Sequence, residues 1–469
     1  MFSPSIYTQR RRALIEAEVP SSGLVLLLGN ENSAMNYRAN PYPFRQDSTF
    51  LYYFGIDEPG LDGIIDLDAG ASRLYGDDPS LDDVIWMGER PSVREYAQRV
   101  GVSGVSSQAD LKADLSKALE ANRPIHFLPP YRSNHRDRLQ HLLGLCSDRV
   151  KSYASDPLVR AVVQQRSQKQ EEEIEELELA LDATASMHER AMRAAAPGVR
   201  EREIAGQLSG IAEAHGRGLS FRPTCSIQGE VLHNHTYSNE MEDGDLLLVD
   251  AGAASPQHYA GDITRVTPVG GTFSDRQRRL YEAVLDAQVT AIDAIEPGVP
   301  FRDIHLRACR VLTEHLMEVG LMHGNVEEAV NAGAHALFFP HGLGHMLGLD
   351  THDMENLGED TVGYAPDQRR SEQFGLHTLR LARPLEPGFV VTVEPGCYFT
   401  PELIRQWRAE DRHAEFIDYD AVADFDGFGG IRIEDDVLVT THGARVLGPG
   451  IPKSVDEVEE RAGAPTPSA

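Results

Sequence analysis

The sequence has no closely spaced pair of cysteines. Its four, Cys146, Cys225, Cys309 and Cys397, lie far apart, which argues against a C-x-x-C zinc knuckle or a disulfide framework and fits a reducing compartment. Positive charge is scarce as well: 44 lysines and arginines stand against 73 aspartates and glutamates, a formal net charge of −29. Such an excess keeps a chain soluble and disfavours nucleic acid and anionic membranes as partners. No apolar stretch approaches a membrane span, and the opening MFSPSIYTQRRRALIEAEVP has no signal-type apolar core. A cytoplasmic setting is the expectation.

What is present suffices for real cores. Hydrophobic residues make up 41% of the 469, and that length points to two or three domains. The expected class is α/β (α+β): an N-terminal α/β domain over residues 1–157, a larger domain over 158–455, and a polar, frayed tail over 456–469. In the first, GLVLLLG at 23–29, GIIDLD at 63–68 and PIHFLPP at 124–130 read as buried strands, and 91–122 carries helical patterns. Asp156-Pro157 is a turn signal at the junction. Beyond it, Ile174, Leu177, Leu181 and Thr184 recur at helical steps. The acids among them, Glu171 to Glu173 with Glu175 and Glu176, suit a solvated helix face near the positive end of the dipole, or an acidic binding face.

The second region repeats itself. APGVREREI at 196–204 is echoed by EPGVPFRDI at 296–304, and MEDGDLLLVDAG at 241–252 by LEPGFVVTVEPG at 385–396. In the second pair a turn glycine, Gly244 or Gly388, leads into an apolar strand with an acid six residues on, Asp250 or Glu394. Two related halves would set those acids at equivalent positions about a pseudo-twofold axis.

Further acids and histidines accompany them. Asp262 opens the run GDITRV, and a strand pairing with DLLLVD would bring Asp250 and Asp262 together, a costly arrangement unless a cation neutralises it. Two surface acids near a turn is the other reading of that pair. His341, His345 and His352 sit among glycines and apolar residues in FFPHGLGHMLGLDTHD at 338–353, which favours chemistry over a polar loop. Glu394 ends VVTVEPGCYF, a run of buried-strand type in which a lone carboxylate is expensive. In GGIRIEDDVLVT, Arg432 and Glu434 share one face. Arg432 is then the ion-pair partner of Glu434, or the residue that orients Glu434 as a ligand, or both. Asp250, Asp262, Glu394 and Glu434 bring four negative charges and His345 a neutral nitrogen, so two divalent cations would balance the set and leave room for a bridging hydroxide. Such donors suit Mn2+, Co2+ or Zn2+. A metal pair roughly 3.5–4 Å apart activates water and polarises a carbonyl.

Taken in order, Asp–(twelve)–Asp, HGLGHMLGLDTHD, TVEPG and GIRIEDD resemble the pita-bread metallopeptidases, the family of methionine aminopeptidase, aminopeptidase P and prolidase. PFRQDSTFLYYFGIDEPG at 43–60 is similar to the N-terminal creatinase/prolidase-like domain of the Xaa-Pro branch, and HTLRLARPLEPG at 377–388 is similar to prolidase. The resemblance implies a C-terminal pita-bread domain with internal pseudo-twofold symmetry. It implies Asp250, Asp262, His345, Glu394 and Glu434 as ligands of two metals, Mn2+ first, with Asp262 and Glu434 bridging. Glu394 would also carry the proton of a metal-bound nucleophilic water. His233, His341 and His352 match residues that contact substrate or stabilise the tetrahedral intermediate, Arg380 matches a clamp on a dipeptide's carboxylate, and Arg432 buttresses Glu434. The implied activity is hydrolysis of Xaa-Pro dipeptides by a homodimer. Aminopeptidase P activity on longer peptides and a metal-free binding member of the fold are the alternatives. The chain departs from the family at Leu219 and Asn234, where tyrosines are usual. His235, Cys397 and Tyr398 receive no role beyond packing.

Overall fold

Leu24–Leu28 is apolar at every position and forms β1 of a five-stranded sheet in the computed structural model, which describes residues 1–17 and 20–463. With β2 (Asp62–Asp66), β3 (Ala71–Tyr75), β4 (Gly104–Ser106) and β5 (Ile125–His126) the order is β4-β3-β2-β1-β5. β1, β2 and β3 run antiparallel, and parallel partners close both sides. Leu24, Leu26, Ile64, Leu111, Leu115 and Phe127 fill the core on this sheet. PIHFLPP contributes only two strand residues, because prolines cannot donate to a ladder. β3 and β4 carry little apolar alternation and escape a reading by pattern.

The chain divides into two compact units, one of Met1–Arg166 with Asn356–Gly358 and one of the rest. Asp156-Pro157 opens the helix Asp156–Ser167, since proline fits a first helical turn, and the division falls near the C-terminal end of that helix.

In the second unit two helices, Glu171–Ala194 and Glu201–His215, precede β6 (Thr224–Ser226), β7 (Leu246–Ala251) and β8 (Ile263–Pro268), which form an antiparallel sheet ordered β6-β7-β8. Two further helices, Asp275–Asp293 and Phe301–Glu318, precede β9 (Val390–Val393), β10 (Gly396–Tyr398), β11 (Gly430–Arg432), β12 (Asp435–Thr440) and β13 (Gly443–Val446). β13-β12-β9 is a second antiparallel sheet, and β10 pairs with β11.

The repeat is visible in the backbone. Gly198 and Gly298 both take positive φ (84° and 87°), and so do Gly244 and Gly388 (90° and 91°), a region open chiefly to glycine. Gly198 N–H donates to Met241 O and Gly298 N–H to Leu385 O, each at 2.8 Å. The bridge Arg200↔Glu240 in one half is matched by Pro300↔Pro384 in the other.

Two expectations change. Residues 455–461 are a helix and not a frayed tail: Ser454 and Glu457 form a capping box, and Val455 and Val458 are buried. Residues 464–469 lie outside the described residues. The acids of the Glu171–Ala194 helix do not all face solvent, because Glu173 is buried and accepts a hydrogen bond from the Tyr259 hydroxyl at 2.9 Å. Among the described residues no helix is long and apolar enough to cross a membrane.

Candidate metal centre

The register of β7 on β8 sets Asp250 opposite Thr264. Asp262 precedes β8 by one residue and stands two positions from Thr264, so all three side chains share one face. On the other half, Glu394 lies between β9 and β10, and Glu434 between β11 and β12. The ladders on either side of this break share one register, Val393 with Asp435 and Gly396 with Arg432, which leaves Glu394 opposite Glu434. Pro395 follows Glu394 and has no N–H to continue the ladder. The two halves meet where Glu434 N–H donates to Thr264 O at 3.1 Å and Thr264 Oγ1 hydrogen-bonds Glu434 Oε2 at 2.7 Å.

His345 reaches the same place from the glycine-rich segment, which runs antiparallel to β9. Thr392 N–H donates to His345 O (3.0 Å), Glu394 N–H donates to Leu343 O (2.8 Å), and Met346 bridges Val391. Gly344 permits this approach, since a Cβ there would overlap the Thr392 carbonyl. The His345 Nδ1–H donates to its neighbour's carbonyl, Met346 O, at 3.1 Å. Nε2 is left facing Asp262 Oδ2 at 3.4 Å and Glu394 Oε1 at 3.7 Å. Ligand atoms of Asp262, His345 and Glu434 all lie within 4.8 Å of one another.

Negative charge accumulates here beyond what the protein neutralises. Burial is the largest cause raising the carboxyls of Asp262 and Glu434 well above the ordinary range, and Asp250 adds repulsion at both. Burial raises Glu394 too, against the pull of His345 and Arg432. Among the described residues Arg432 is the one arginine in direct contact: its Nη2 pairs with Asp250 Oδ2 at 2.6 Å and its Nε donates to Thr264 Oγ1 at 3.0 Å. Four acids facing one guanidinium and one imidazole form a set that divalent cations complete. The donors, carboxylate oxygens with a single nitrogen fixed by its second ring N–H, fit Mn2+, Co2+ or Zn2+.

Of the two roles open to Arg432, the direct ion pair falls to Asp250, not to Glu434. Sharing a strand face does not choose a partner; β7 brings Asp250 within reach, and Glu434 is met only through Thr264. Tyr398 does more than pack. Arg432 Nη1 donates to its hydroxyl at 3.1 Å, and that hydroxyl donates to His341 Nε2 at 2.8 Å. The His341 Nδ1–H is spent on Gly342 O at 2.8 Å. Burial, with Arg432 behind it, pulls His341 down to about 3, so the ring is neutral. Both ring nitrogens of His341 are thereby engaged within the protein. Replacing Tyr398 with Phe strands Arg432 Nη1 and His341 Nε2, and the expected loss of about 1–3 kcal/mol is readable by thermal unfolding.

The other candidates surround this core. His352 stacks edge-on to His345 at 4.3 Å between ring centroids, with Nδ1 3.5 Å from Glu355 Oε2. Glu355 also pairs with Arg380 Nη1, which lies 3.5 Å from Glu359 as well. Although burial works the other way, His352 and Arg380 hold Glu355 below the usual carboxylate range. His233 is exposed and lies within the field of Asp250, Arg432 and His352. Asn234 is buried and holds its loop, donating to Ser226 Oγ at 3.0 Å and accepting from Thr236. Leu219 bridges Ala253 and packs on the core. Reading by pattern also missed Asp436, whose Oδ2 accepts the Asp262 N–H at 3.1 Å while its neighbour Asp435 pairs with Arg265 at 2.6 Å. The only hint was its place two residues after Glu434.

Known proteins share this arrangement of segments. Residues 175–441 match the metallopeptidase family M24, and residues 7–126 match the N-terminal domain of aminopeptidase P. The chain is 32% identical over 457 residues to the Xaa-Pro dipeptidase of Homo sapiens, covering 94% of this chain and 89% of that one. It is 31% identical over 474 residues to Xaa-Pro aminopeptidase 1 of Streptomyces coelicolor, covering 97% and 86%. The solved structure of zinc-substituted E. coli aminopeptidase P in complex with product superimposes with a TM-score of 0.79 at 29% identity, covering 98% of both chains.

Proposed function

We propose, from the premise that this chain belongs to metallopeptidase family M24, that it hydrolyses the peptide bond preceding proline in Xaa-Pro dipeptides. The observation that carries the reading is the gathering of Asp262, Glu394 and Glu434 at His345, with Asp250 held beside them by Arg432 and Arg380 paired to Glu355. Asp250, Asp262, His345, Glu394 and Glu434 would hold two divalent cations, Mn2+ before Co2+ or Zn2+. When bound, such a pair makes water nucleophilic near neutral pH and polarises the scissile carbonyl.

The chain's own groups do the rest. The side chain of Glu394 is 17% exposed, so a water molecule can reach its carboxylate. It takes the proton of the attacking water and passes it to the departing proline nitrogen, which has no N–H before cleavage. His352, oriented by Glu355, and exposed His233 hydrogen-bond the substrate carbonyl and the charge that develops on it. His341 acts at one remove, holding the Tyr398 hydroxyl against Arg432. Arg380 is 35% exposed and uses Nη1 for both of its ion pairs, which leaves an edge of the guanidinium for a dipeptide's carboxylate. A homodimer belongs to the same reading. Leu81, Ile85, Trp86 and Met87 support it, lying 66–82% exposed on one short helix.

The same ion pairs support a second reading. Glu355 and Glu359 compete with a substrate carboxylate for Arg380, and without the clamp the site would accept longer Xaa-Pro peptides, as an aminopeptidase does. Arg380→Met separates the two. A charge-assisted contact contributes about 1.5–3 kcal/mol, so kcat/KM on Xaa-Pro should fall about 10- to 100-fold while Xaa-Pro-Xaa changes little. Equal losses on both substrates would favour the aminopeptidase.

A further inference from the structure

We propose that His305, Cys309 and His335 form a second cation site, built on one thiolate and two imidazoles and suited to a single soft cation of the Cu+ class. His305 and Cys309 lie one turn apart on the inner face of the Phe301–Glu318 helix. His335 comes from the 3-10 turn Ala334–Leu337, which Gly333 opens at a φ of 88°. One ligand atom from each of the three lies within 4.8 Å of the others, and Cys309 Sγ is 3.4 Å from His305 Nε2. All three residues are 0% exposed.

Packing alone leaves this cluster unexplained. Both ring nitrogens of His335 and Nδ1 of His305 are buried without a hydrogen-bond partner. A neutral imidazole offers a lone pair as well as an N–H, and leaving such a group unpaired in a dry core costs about 1–3 kcal/mol. A cation would take up lone pairs that nothing else satisfies. Burial keeps both rings neutral, His335 at about 4 and His305 well below its ordinary value, so those lone pairs are not lost to protons. Burial also raises the Cys309 thiol, so its proton leaves only as the sulfur–metal bond forms, one proton released per cation bound.

Charge selects the cation. One thiolate and two neutral imidazoles with Cu+ sum to zero, which an apolar interior accepts. Zn2+ would leave one uncompensated positive charge and a fourth position to fill, and among the described residues no fourth metal-ligating side chain joins the group. The Phe339 ring stands between this site and His341, 5.3 Å from His305 and 4.9 Å from His341. The two centres are therefore separate sites with opposite preferences, soft against hard.

The test uses the full chain, reduced, stripped of metal, loaded with Mn2+ and kept free of oxygen. Cu+ is then titrated against a chromogenic chelator. One equivalent should bind with a near-ultraviolet thiolate-to-copper band, and Zn2+ at equal concentration should not displace it. Cys309→Ser should abolish the band. His335→Gln, which keeps the thiol and covers the case in which the serine variant does not fold, should weaken binding at least about tenfold. Far-ultraviolet circular dichroism reports the fold of each. No bound equivalent in the wild type, a band that survives Cys309→Ser and so belongs to another thiol, or Zn2+ holding the site against Cu+ would overturn the proposal.

Discussion

Replacing Glu394 with Gln should leave the chain folded and lower kcat on Xaa-Pro substrates by about 10²- to 10⁴-fold, the usual contribution of a general acid–base group. The amide occupies the same volume, and the backbone contact that fixes residue 394, its N–H on Leu343 O, involves no side chain. What the substitution removes is the atom that accepts a proton, together with one negative donor opposite Glu434. Steady-state kinetics on the metal-reconstituted variant measure the loss, and circular dichroism with thermal unfolding shows that the fold is kept. Full turnover in the variant would assign the proton to another group.

Stripping divalent metal should abolish hydrolysis, and Mn2+ should restore it. The same experiment has a signature in stability. In the stripped chain burial, aided by neighbouring acids, raises Asp262 and Glu434 well above the ordinary carboxylate range, and burial raises Glu394. The unfolded chain titrates those groups near about 4, so over the interval above that value the native state binds more protons than the unfolded one. Stability then falls as pH rises through that interval, the opposite of the behaviour of a salt-bridged carboxylate. Cations that take the place of the protons remove the loss. Unfolding midpoints of stripped and Mn2+-loaded protein should therefore diverge as pH rises from about 5 to about 8, with the stripped form falling. Parallel curves would show that the acids are neutralised by something other than metal.

Much of this centre is legible in the sequence because the fold is built twice. The echoes at Gly198 and Gly298, and at Gly244 and Gly388, mark backbone positions where positive φ is required, and an acid follows each of the second pair at the same distance. Strand alternation then sets Asp250 and Asp262 on one face. What could not be read is lateral contact between strands remote in sequence. Arg432 alternates with Glu434 but pairs with Asp250 across β7, 182 residues away. Tyr398 looked like core because its hydroxyl meets partners 34 and 57 residues distant. The three soft ligands near Phe339 escaped for a related reason. His305 and Cys309 are one helical turn apart, but the third ligand arrives from a turn whose position no periodicity encodes.

Crystals soaked in Mn2+ and measured at the manganese absorption edge offer the most direct view of the centre. Two anomalous peaks roughly 3.5–4 Å apart, enclosed by Asp250, Asp262, His345, Glu394 and Glu434, are the expected result. Density holding no peak there, or peaks bound by other side chains, would contradict the assignment of these five residues as the ligands.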